Sequence, residues 1–288
     1  MSAALALDLV GPSQPIGLIA AGGRFPIYFA EKAHAAGLRL VIVGLRGLAD
    51  PAVARFAWRF HWSGPIQLGK MIRLFCRDGA RRLVMAGKVY KGDMMYRPWR
   101  LLAFTPDWRA FRAWFFSRRS DNRDHSILLA IIDEFAKDGL TFASALDLCP
   151  ELLVKPGVLT RRRPSAAEYA DIAFGWELAK KFSELDVGQS IAVKDKNVLA
   201  VEAIEGTDRA ILRAGEYARG GFTLVKLAKK GHDMRFDVPT VGQTTIETMA
   251  RAGGRVLALE ADKTILLDHE QTVALADRLG ISIVAVSN

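Results

Sequence analysis

Short apolar runs alternate with helical patterns along most of the chain, and this alternation restricts the available folds more than any other feature. The chain opens with an apolar run at Ile16–Ala20, the pair Gly22-Gly23, a helical pattern over Phe25–Ala36 and a second apolar run at Leu38–Leu45. Short apolar runs indicate buried strands, and helical spacing between them indicates a crossover helix. We therefore predict a β-turn-α-β unit of the kind that opens nucleotide-binding folds.

The same alternation continues to the end of the chain. Further helices are predicted at Ile66–Arg77, Ile127–Lys137, Ala166–Phe182, Asp208–Ala218, Thr244–Ala252 and Glu270–Leu279. Further strands are predicted at Arg82–Ala86, Ser190–Val193, Val198–Ala203, Thr223–Ala228, Arg255–Leu259, Thr264–Leu267 and Ile281–Val286. Strands that alternate with helices form mostly parallel sheets. The predicted fold class is α/β, with two α/β domains joined by a linker, the first Rossmann-like with a mostly parallel sheet.

A break in this periodicity divides the chain. Its 288 residues exceed the roughly 100–150 residues of a common domain, so two domains are expected. Between Pro150 and Pro164, Gly157 and the basic run Arg161–Arg163 interrupt the helical and strand patterns. We predict an N-terminal domain at residues 1–150, a linker at 151–165 and a C-terminal domain at 166–288.

The composition excludes several classes of protein. Half of the residues are hydrophobic and a quarter are charged, which is enough apolar material for two cores without disulfides or metals. Cys76 and Cys149 have no paired spacing, so we expect two small buried side chains in a reducing compartment. Ala3–Val10 carries an acid and lacks a basic start, which argues against a signal peptide. No run approaches the roughly 20 apolar residues of a membrane-spanning helix.

The charge of the chain indicates an anionic partner. The formal net charge is +9 and the pI is near 9.7, so nucleotides, nucleic acids and acidic lipids are all attracted. Many of the basic residues lie between Lys88 and Arg119 and are mixed with aromatic residues. The segment Asp107–Arg119 has aromatic residues at helical spacing with arginines among them. Two interpretations stay open for this segment: core packing, and an interface with acidic lipid headgroups.

Two segments of the first domain could contact phosphate. The loop Ala20–Pro26 joins a strand to a helix, where free backbone N–H groups and the helix dipole favour an anion and glycine allows its close approach. Gly87 and Lys88 directly follow a predicted strand, at the edge where open α/β sheets bind ligands. The alternatives are a tight turn for the loop and a solvated side chain for Lys88.

Two segments of the second domain carry acids and bases. Glu202, Glu205 and Asp208 cluster at a strand-to-helix turn, where acids bind Mg²⁺ or sugar hydroxyls, or where Thr207 and Asp208 simply begin a helix. A charged stretch from Lys226 to Asp237 precedes the loop at residues 238–242. Basic groups can neutralise phosphate oxygens while a carboxylate activates water or holds a metal, so this stretch is the strongest active-site candidate, with a charged surface loop as the alternative.

Six segments together resemble a known family in their order and spacing over nearly the whole chain. They are Gly17–Pro26, Leu68–Lys70, Met85–Val89, Leu185–Gln189, Val201–Asp208 and Asp237–Gly242. In this arrangement they resemble the LpxI-type UDP-2,3-diacylglucosamine hydrolases. The Glu-Gly-Thr-Asp sequence at 205–208 and the Asp-Val-Pro-Thr sequence at 237–240 are the most specific elements.

The resemblance implies an enzyme of lipid A biosynthesis that uses Mg²⁺ and water to attack the α-phosphorus, giving UMP and 2,3-diacylglucosamine 1-phosphate. It implies a nucleotide-handling N-terminal domain, a C-terminal domain that handles the lipid substrate and carries the catalytic Asp237, and a cytoplasmic protein peripheral on the inner face of the membrane. A homodimer is left open, and nucleic acid is not an expected partner. The substrate-binding residues implied are Gly22, Gly23, Gly87, Lys88, Asp124, Asp186, Gln189, Glu202, Glu205, Gly206, Thr207 and Asp208.

The sequence departs from the family pattern at two places. Ala21 stands where the family has the first of three glycines, which affects how closely a ligand approaches the backbone there. Arg123-Asp124-His125 stands where the family has Gly-Asp-Asp, so one of two carboxylates is lost. If both acids bind a metal in the family, its affinity here should differ.

Three other functions compete with this interpretation. A dinucleotide-dependent oxidoreductase would fit the β-α-β opening, but the glycine fingerprint G-x-G-x-x-G is missing. A nucleic-acid-binding protein would account for the charge, and it requires steeply salt-dependent binding. A protein that binds a UDP-sugar lipid without turnover would share the motifs of the hydrolase and differ only in the absence of UMP release.

Overall fold

The chain folds into two compact units. The computed structural model describes residues 14–89, 106–117, 124–185, 187–229 and 238–287. The chain up to Pro150 forms the first unit, and the second unit begins at Glu151. In these described ranges, no helix has the length and apolar character needed to cross a membrane.

The first unit is a parallel sheet with flanking helices. Its strands are β1 (Ile16–Ala20), β2 (Leu40–Leu45), β3 (Arg59–Ser63), β4 (Arg82–Ala86) and β5 (Thr141–Phe142). Its described helices are α1 (Phe25–Ala35), α2 (Leu68–Arg77), α3 (Trp108–Ser117) and α4 (Asp124–Ala136), with short 3-10 helices at Pro51–Phe56 and Ala145–Asp147. A further 3-10 helix, Pro150–Leu152, begins at the last residue of this unit. The strand order is β3-β2-β1-β4-β5, and every neighbouring pair is parallel.

This topology confirms the predicted Rossmann-like first domain. Every residue of β1 and β2 is buried, as expected for parallel strands that are covered on both faces. Phe75 of α2 and Phe135 of α4 are fully buried against the sheet. The chain runs outward from β1 in one direction through β2 and β3, and in the other through β4 and β5. The switch point, where ligands of such sheets bind, therefore lies between β1 and β4.

One aspartate carboxylate accepts hydrogen bonds from the first turns of two helices in the first unit. Asp107 Oδ1 accepts a hydrogen bond from the Ala110 N–H in the first turn of α3, and Asp107 Oδ2 accepts one from the Lys70 N–H in the first turn of α2. A Cβ on Gly69 would lie 3.1 Å from Asp107 Oδ2, so glycine leaves room for the carboxylate. The segment Leu68–Lys70 therefore has a structural use in fixing α2 against α3.

A buried carboxylate holds α3 against α4. The side chain of Glu134 is 1% exposed, and it accepts hydrogen bonds from Arg112 at 2.5 Å and from Lys137 at 2.6 Å. Burial raises the pKa of the Glu134 carboxyl, but the hydrogen bonds from Lys137 and Arg112 outweigh it, so the pKa lies below its ordinary value. Arg109 pairs with Asp138 on the same side. Arg109 and Arg112 of α3 thus form ion pairs that hold this helix against the acidic residues in and just after α4.

We expect Glu134→Gln to lower the free energy of unfolding by about 1–3 kcal/mol at neutral pH, because hydrogen bonds to a charged acceptor are lost. The folded-state pKa is depressed, so this contribution is complete above the ordinary value of 4.5 and is lost as the pH falls through the folded pKa. Urea unfolding from about pH 7 to pH 3 should therefore show the variant and wild type converging at low pH. A gap that stays constant with pH would contradict the ionic role.

The second unit is a mixed sheet covered by helices on both faces. Its strands are β6 (Gly157–Val158), β7 (Ser190–Lys194), β8 (Asn197–Val201), β9 (Thr223–Lys226), β10 (Thr240–Val241), β11 (Val256–Glu260), β12 (Ile265–Leu266) and β13 (Ser282–Val286). Its helices are α5 (Ala166–Glu184), α6 (Thr207–Ala218), α7 (Gln243–Ala252) and α8 (His269–Arg278). The main sheet has the order β6-β13-β11-β9-β7-β8, and β10 pairs with β12 separately.

Strand direction divides this sheet into two parts. The central strands β9, β11 and β13 are parallel, whereas β6, β7 and β8 run antiparallel to their neighbours. Ile172 and Trp176 of α5 pack on one face with Val225. Helices α6, α7 and α8 pack on the other face, where Ile211 and Leu224 belong to the same core. The two-domain α/β fold predicted from the sequence is confirmed.

The segment at residues 151–165, for which the sequence predicts a linker, packs on the second unit. Gly157–Val158 is an edge strand paired with β13, and Val154 is 2% exposed within the core. Ser165 then begins α5 with a capping box, in which its hydroxyl and the Glu168 side chain each accept a backbone N–H. The prolines and glycine that interrupt the periodicity therefore mark an irregular but packed connection.

The structure has a helix or strand at every position that the periodicity predicts, with ends that differ by a few residues. It adds four strands that the periodicity does not predict, namely β3, β5, β6 and β10. Three of these have two residues each, too few to show a period, and β3 carries an arginine and a histidine in a partly exposed edge strand. Cys149 is fully buried as expected, whereas Cys76 is partly exposed, and neither thiol forms a disulfide.

Candidate functional site

Two loops meet at the switch point of the first sheet. The loop after β1 and the loop after β4 exchange backbone hydrogen bonds: Gly22 N–H donates to Lys88 O at 3.1 Å, and Lys88 N–H donates to Gly22 O at 2.8 Å. Ala21 N–H also donates to Ala86 O at 2.9 Å. The structure therefore brings Gly22, Gly23, Gly87 and Lys88 together at the carboxyl edge of the sheet.

Glycine is required at the contact between these loops. Gly87 has a φ of +102°, and a Cβ there would lie 2.7 Å from Gly22 O and 2.8 Å from the Ala21 carbonyl carbon. Gly23 has a φ of +91° and open space around it, next to the start of α1. Among the described residues, no side chain caps that helix, so the first-turn N–H groups, which Pro26 does not supply, are donors for a ligand beside this loop. The methyl group of Ala21 packs in the core of the first unit.

We expect Gly87→Ala to lower the free energy of unfolding by about 2–4 kcal/mol, because a methyl group combines left-handed strain with overlap of the neighbouring backbone. Gly79→Ala is the matched control, since Gly79 has a φ of +77° and nothing within 4 Å of the added Cβ. The control should cost only the strain, about 1–2 kcal/mol in urea unfolding. Equal losses in the two variants would mean that the loops are not held in contact.

Three polar side chains are hydrogen-bonded in a row at one edge of the second sheet. Lys226, at the end of β9, donates to Thr207 Oγ1 at 2.7 Å, and the Thr207 hydroxyl donates to Glu202 Oε1 at 2.9 Å. Lys226 is 4% exposed and Glu202 is 8% exposed. A buried cation and a buried anion are thus linked through one hydroxyl group. Of the residues implied by the resemblance, Glu202 and Thr207 are brought together here.

Several polar atoms around these three side chains are buried without a hydrogen-bond partner among the described residues. They are Glu202 Oε2, Ser190 Oγ and Gln189 Oε1. Gly188 fits tightly beside them, since a Cβ there would lie 1.9 Å from Glu202 O. Buried polar atoms are normally paired, so such a group of unpaired atoms points to a missing ligand.

The remaining residues of the acidic turn have local partners. Glu205 accepts from Arg213 at 2.6 Å and from the Ala203 N–H at 3.2 Å, which fixes the turn. Gly206 has a φ of +82° and directly precedes α6, and Asp208 lies in the first turn of that helix, where its charge suits the helix dipole. The two glutamates therefore differ in their partners: Arg213 binds Glu205, whereas one oxygen of Glu202 has no partner among the described residues.

Three of the residues implied by the resemblance fall where side chains are not described. Asp186 and Asp237 lie outside the described residues, as does the whole of 230–237 within the charged stretch from Lys226 to Asp237. Asp124 begins α4, but its side chain is outside the described part. Their roles stay predictions.

The sequence did not single out two buried polar residues at the same edge of the second sheet. Ser190 begins β7 and is 3% exposed. Glu260 ends β11, is 4% exposed, and accepts from the Ala228 N–H at 2.9 Å and from Lys263 at 2.7 Å. A polar residue at the end of an apolar run is the signal that could have identified both. Lys226 was noted only as part of the charged stretch.

The carboxylates in the described ranges do not gather into a metal site. No group of three or more histidine, cysteine, aspartate or glutamate side chains there is placed to hold a metal ion. Glu202 is linked through Thr207 to the Lys226 ammonium, and a positive charge so near disfavours a divalent cation at the unpaired Glu202 oxygen. The described residues alone therefore do not form a Mg²⁺ site.

Both units of the chain match the same protein family. Residues 15–152 match the model of the LpxI N-terminal domain, and residues 155–284 match that of the LpxI C-terminal domain. The chain is 31% identical over 283 residues to a Caulobacter vibrioides protein named UDP-2,3-diacylglucosamine pyrophosphatase LpxI. That alignment covers 94% of this chain and 97% of the relative.

Proposed function

Because the chain belongs to the LpxI family, we propose that it hydrolyses the pyrophosphate bond of UDP-2,3-diacylglucosamine in lipid A biosynthesis. Water attacks the α-phosphorus, and the products are UMP and 2,3-diacylglucosamine 1-phosphate. The observation that carries the proposal is the match to both family domains together with an alignment to a relative of that name over nearly its whole length.

The first unit is proposed to handle the nucleotide. The paired loops after β1 and β4 present glycine backbone next to the uncapped start of α1, and Lys88 lies in the second loop. Backbone N–H groups and a helix dipole stabilise phosphate, and a lysine adds a positive charge. The lack of a G-x-G-x-x-G fingerprint in the first loop favours a nucleotide phosphate over a dinucleotide as its ligand.

The second unit is proposed to supply the chemistry. Asp237 orients or deprotonates the attacking water, and basic residues of the same stretch offset charge on the pyrophosphate. Mg²⁺, when bound, neutralises charge on phosphate oxygens, and it commonly uses one or two carboxylates with substrate phosphates and water.

The deciding experiment measures UMP release from UDP-2,3-diacylglucosamine by the purified full-length chain, with Mg²⁺ and with EDTA. We expect turnover by wild type and a loss of about 10²–10⁴-fold in Asp237→Ala, with unchanged Tm, because a water-activating group is removed. Loss of turnover in EDTA and recovery with Mg²⁺ would support the metal. Absence of turnover with retained substrate binding would favour a binding protein, and an active Asp237→Ala enzyme would refute its role.

We further propose that α3 contacts the inner membrane surface. Trp108 is 73% exposed and Phe111 is 45% exposed, and their rings stack at 5.7 Å. Ala110 and Ala113 face the core instead, and Arg109 and Arg112 are engaged by Asp138 and Glu134. Over residues 108–113, where the side chains of this helix are described, the most exposed side chains are therefore aromatic. Aromatic side chains favour the boundary between water and lipid. A substrate with two acyl chains makes such contact useful.

Flotation with vesicles of phosphatidylethanolamine and phosphatidylglycerol tests this contact. We expect the double variant Trp108→Ala, Phe111→Ala to reduce the bound fraction about tenfold or more, because burial of the two aromatic side chains is lost. Trp58→Ala is the matched control: Trp58 is 46% exposed in the same unit, but Arg39 and Arg59 cover its ring. Equal binding by the double variant and wild type would exclude α3 as the contact.

A further inference from the structure

Three adjacent strands of the second sheet present polar side chains side by side. Ser190 of β7 pairs directly with Lys226 of β9, and the Glu202 N–H at the end of β8 donates to Ser190 O at 2.9 Å. Ala192, Leu224 and Ala200, each two residues away from one of these positions, belong to the core on the α6 face. Alternation therefore directs all three polar side chains to that face, with Ser190 in the middle and the Cβ atom of each neighbour about 5 Å from its own.

The start of α6 lies over the same three positions. Thr207, its first residue, accepts from Lys226 and donates to Glu202, while no side chain caps the helix. Free N–H groups of the first turn thus add to the polar surface. Because the Thr207 hydroxyl has only one proton, these two bonds fix its direction.

These groups are not satisfied by the fold. Ser190 Oγ and Glu202 Oε2 are both buried and lack a hydrogen-bond partner among the described residues. Among those residues, the one acceptor found for the three Lys226 N–H donors is Thr207. Leaving buried polar groups unpaired costs stability, so their presence together requires a compensating use.

The chemistry of the unpaired groups defines what would satisfy them. The free Glu202 oxygen accepts only, so it needs a hydroxyl or amide N–H from the ligand. The Lys226 ammonium and the first turn of α6 donate only, and they favour an anion such as a phosphate oxygen. Ser190 can do either. A ligand that carries a donor close to an anionic phosphate fits, whereas inorganic phosphate would face the Glu202 carboxylate.

We propose that Ser190, Glu202, Thr207 and Lys226 bind the phosphorylated amino-sugar half of the substrate. This inference rests on the proposed function, because a substrate with a 2,3-diacylglucosamine 1-phosphate half supplies a sugar hydroxyl or amide N–H next to a phosphate. It assigns binding roles to Ser190 and Lys226, and it divides the substrate so that the uridine half depends on other residues.

Ser190→Ala gives the sharpest test, because the hydroxyl has no hydrogen-bond partner to lose in the described part of the chain. Calorimetric titration of the full-length chain with 2,3-diacylglucosamine 1-phosphate in detergent should show affinity weakened about threefold to tenfold. The Tm should be unchanged or raised, because an unpaired buried hydroxyl is removed. UMP affinity should stay at the wild-type value.

Lys226→Met should weaken binding of 2,3-diacylglucosamine 1-phosphate by about tenfold to a hundredfold, because a charged donor is lost. This variant leaves the buried Glu202 carboxylate without a nearby cation, which can destabilise the fold. The double variant Lys226→Met, Glu202→Gln removes both charges and is measured beside it. Lys194→Met is the matched control. Lys194 lies on β7 and donates to Ala218 O and Arg219 O at the far end of α6, so its loss should lower Tm without changing either affinity.

The outcomes separate this inference from the proposed function. Wild-type affinity for 2,3-diacylglucosamine 1-phosphate in both Ser190→Ala and the Lys226 variants would overturn the inference, while UMP release by wild type would leave the function standing. Weakened UMP binding in place of sugar-phosphate binding would also overturn it. Failure of wild type to bind 2,3-diacylglucosamine 1-phosphate would count against the inference directly, whatever the result for UMP.

Discussion

Pairing between neighbouring strands brings distant parts of the chain to one edge of a sheet, and the candidate site residues of each unit depend on this geometry. In the first unit, β1 and β4 are neighbours at the switch point, so the loops that follow them can exchange the hydrogen bonds between Gly22 and Lys88. In the second unit, β9 ends beside the turn where the antiparallel strand β7 begins. That pairing places Lys226 next to Ser190, which is far from it in sequence.

The two units build polar sites in different ways. The first uses backbone, because the glycines at 22, 23 and 87 remove side chains where the loops and the start of α1 come close. The second uses side chains, with a lysine, a threonine and a glutamate hydrogen-bonded in a row. Backbone N–H groups suit phosphate oxygens of any attached group, whereas side chains can distinguish a donor from an acceptor.

Two buried carboxylates of this protein differ in how completely they are paired. Both oxygens of Glu134 accept from cations, and this pairing lowers its pKa despite burial. Glu202 is nearly as buried, but one of its oxygens has no partner among the described residues. Glu205, only three residues away, is held by Arg213. The unpaired oxygen, and not burial or acidity alone, therefore distinguishes the candidate ligand group.

The sequence by itself determined the order of the helices and of all strands except β3, β5, β6 and β10, because hydrophobic periodicity follows directly from which faces are buried. It also located the glycine loops and the acidic turn, since glycine and acid at strand ends are visible locally. Only the tertiary structure decided that Ser190 and Lys226 are neighbours, and that Glu205 pairs with Arg213 while one oxygen of Glu202 has no partner among the described residues. It also decided that Arg109 and Arg112 pair with acids while Trp108 is exposed. Hydrogen-bond partners across strands and helices depend on register and packing, which local composition does not encode.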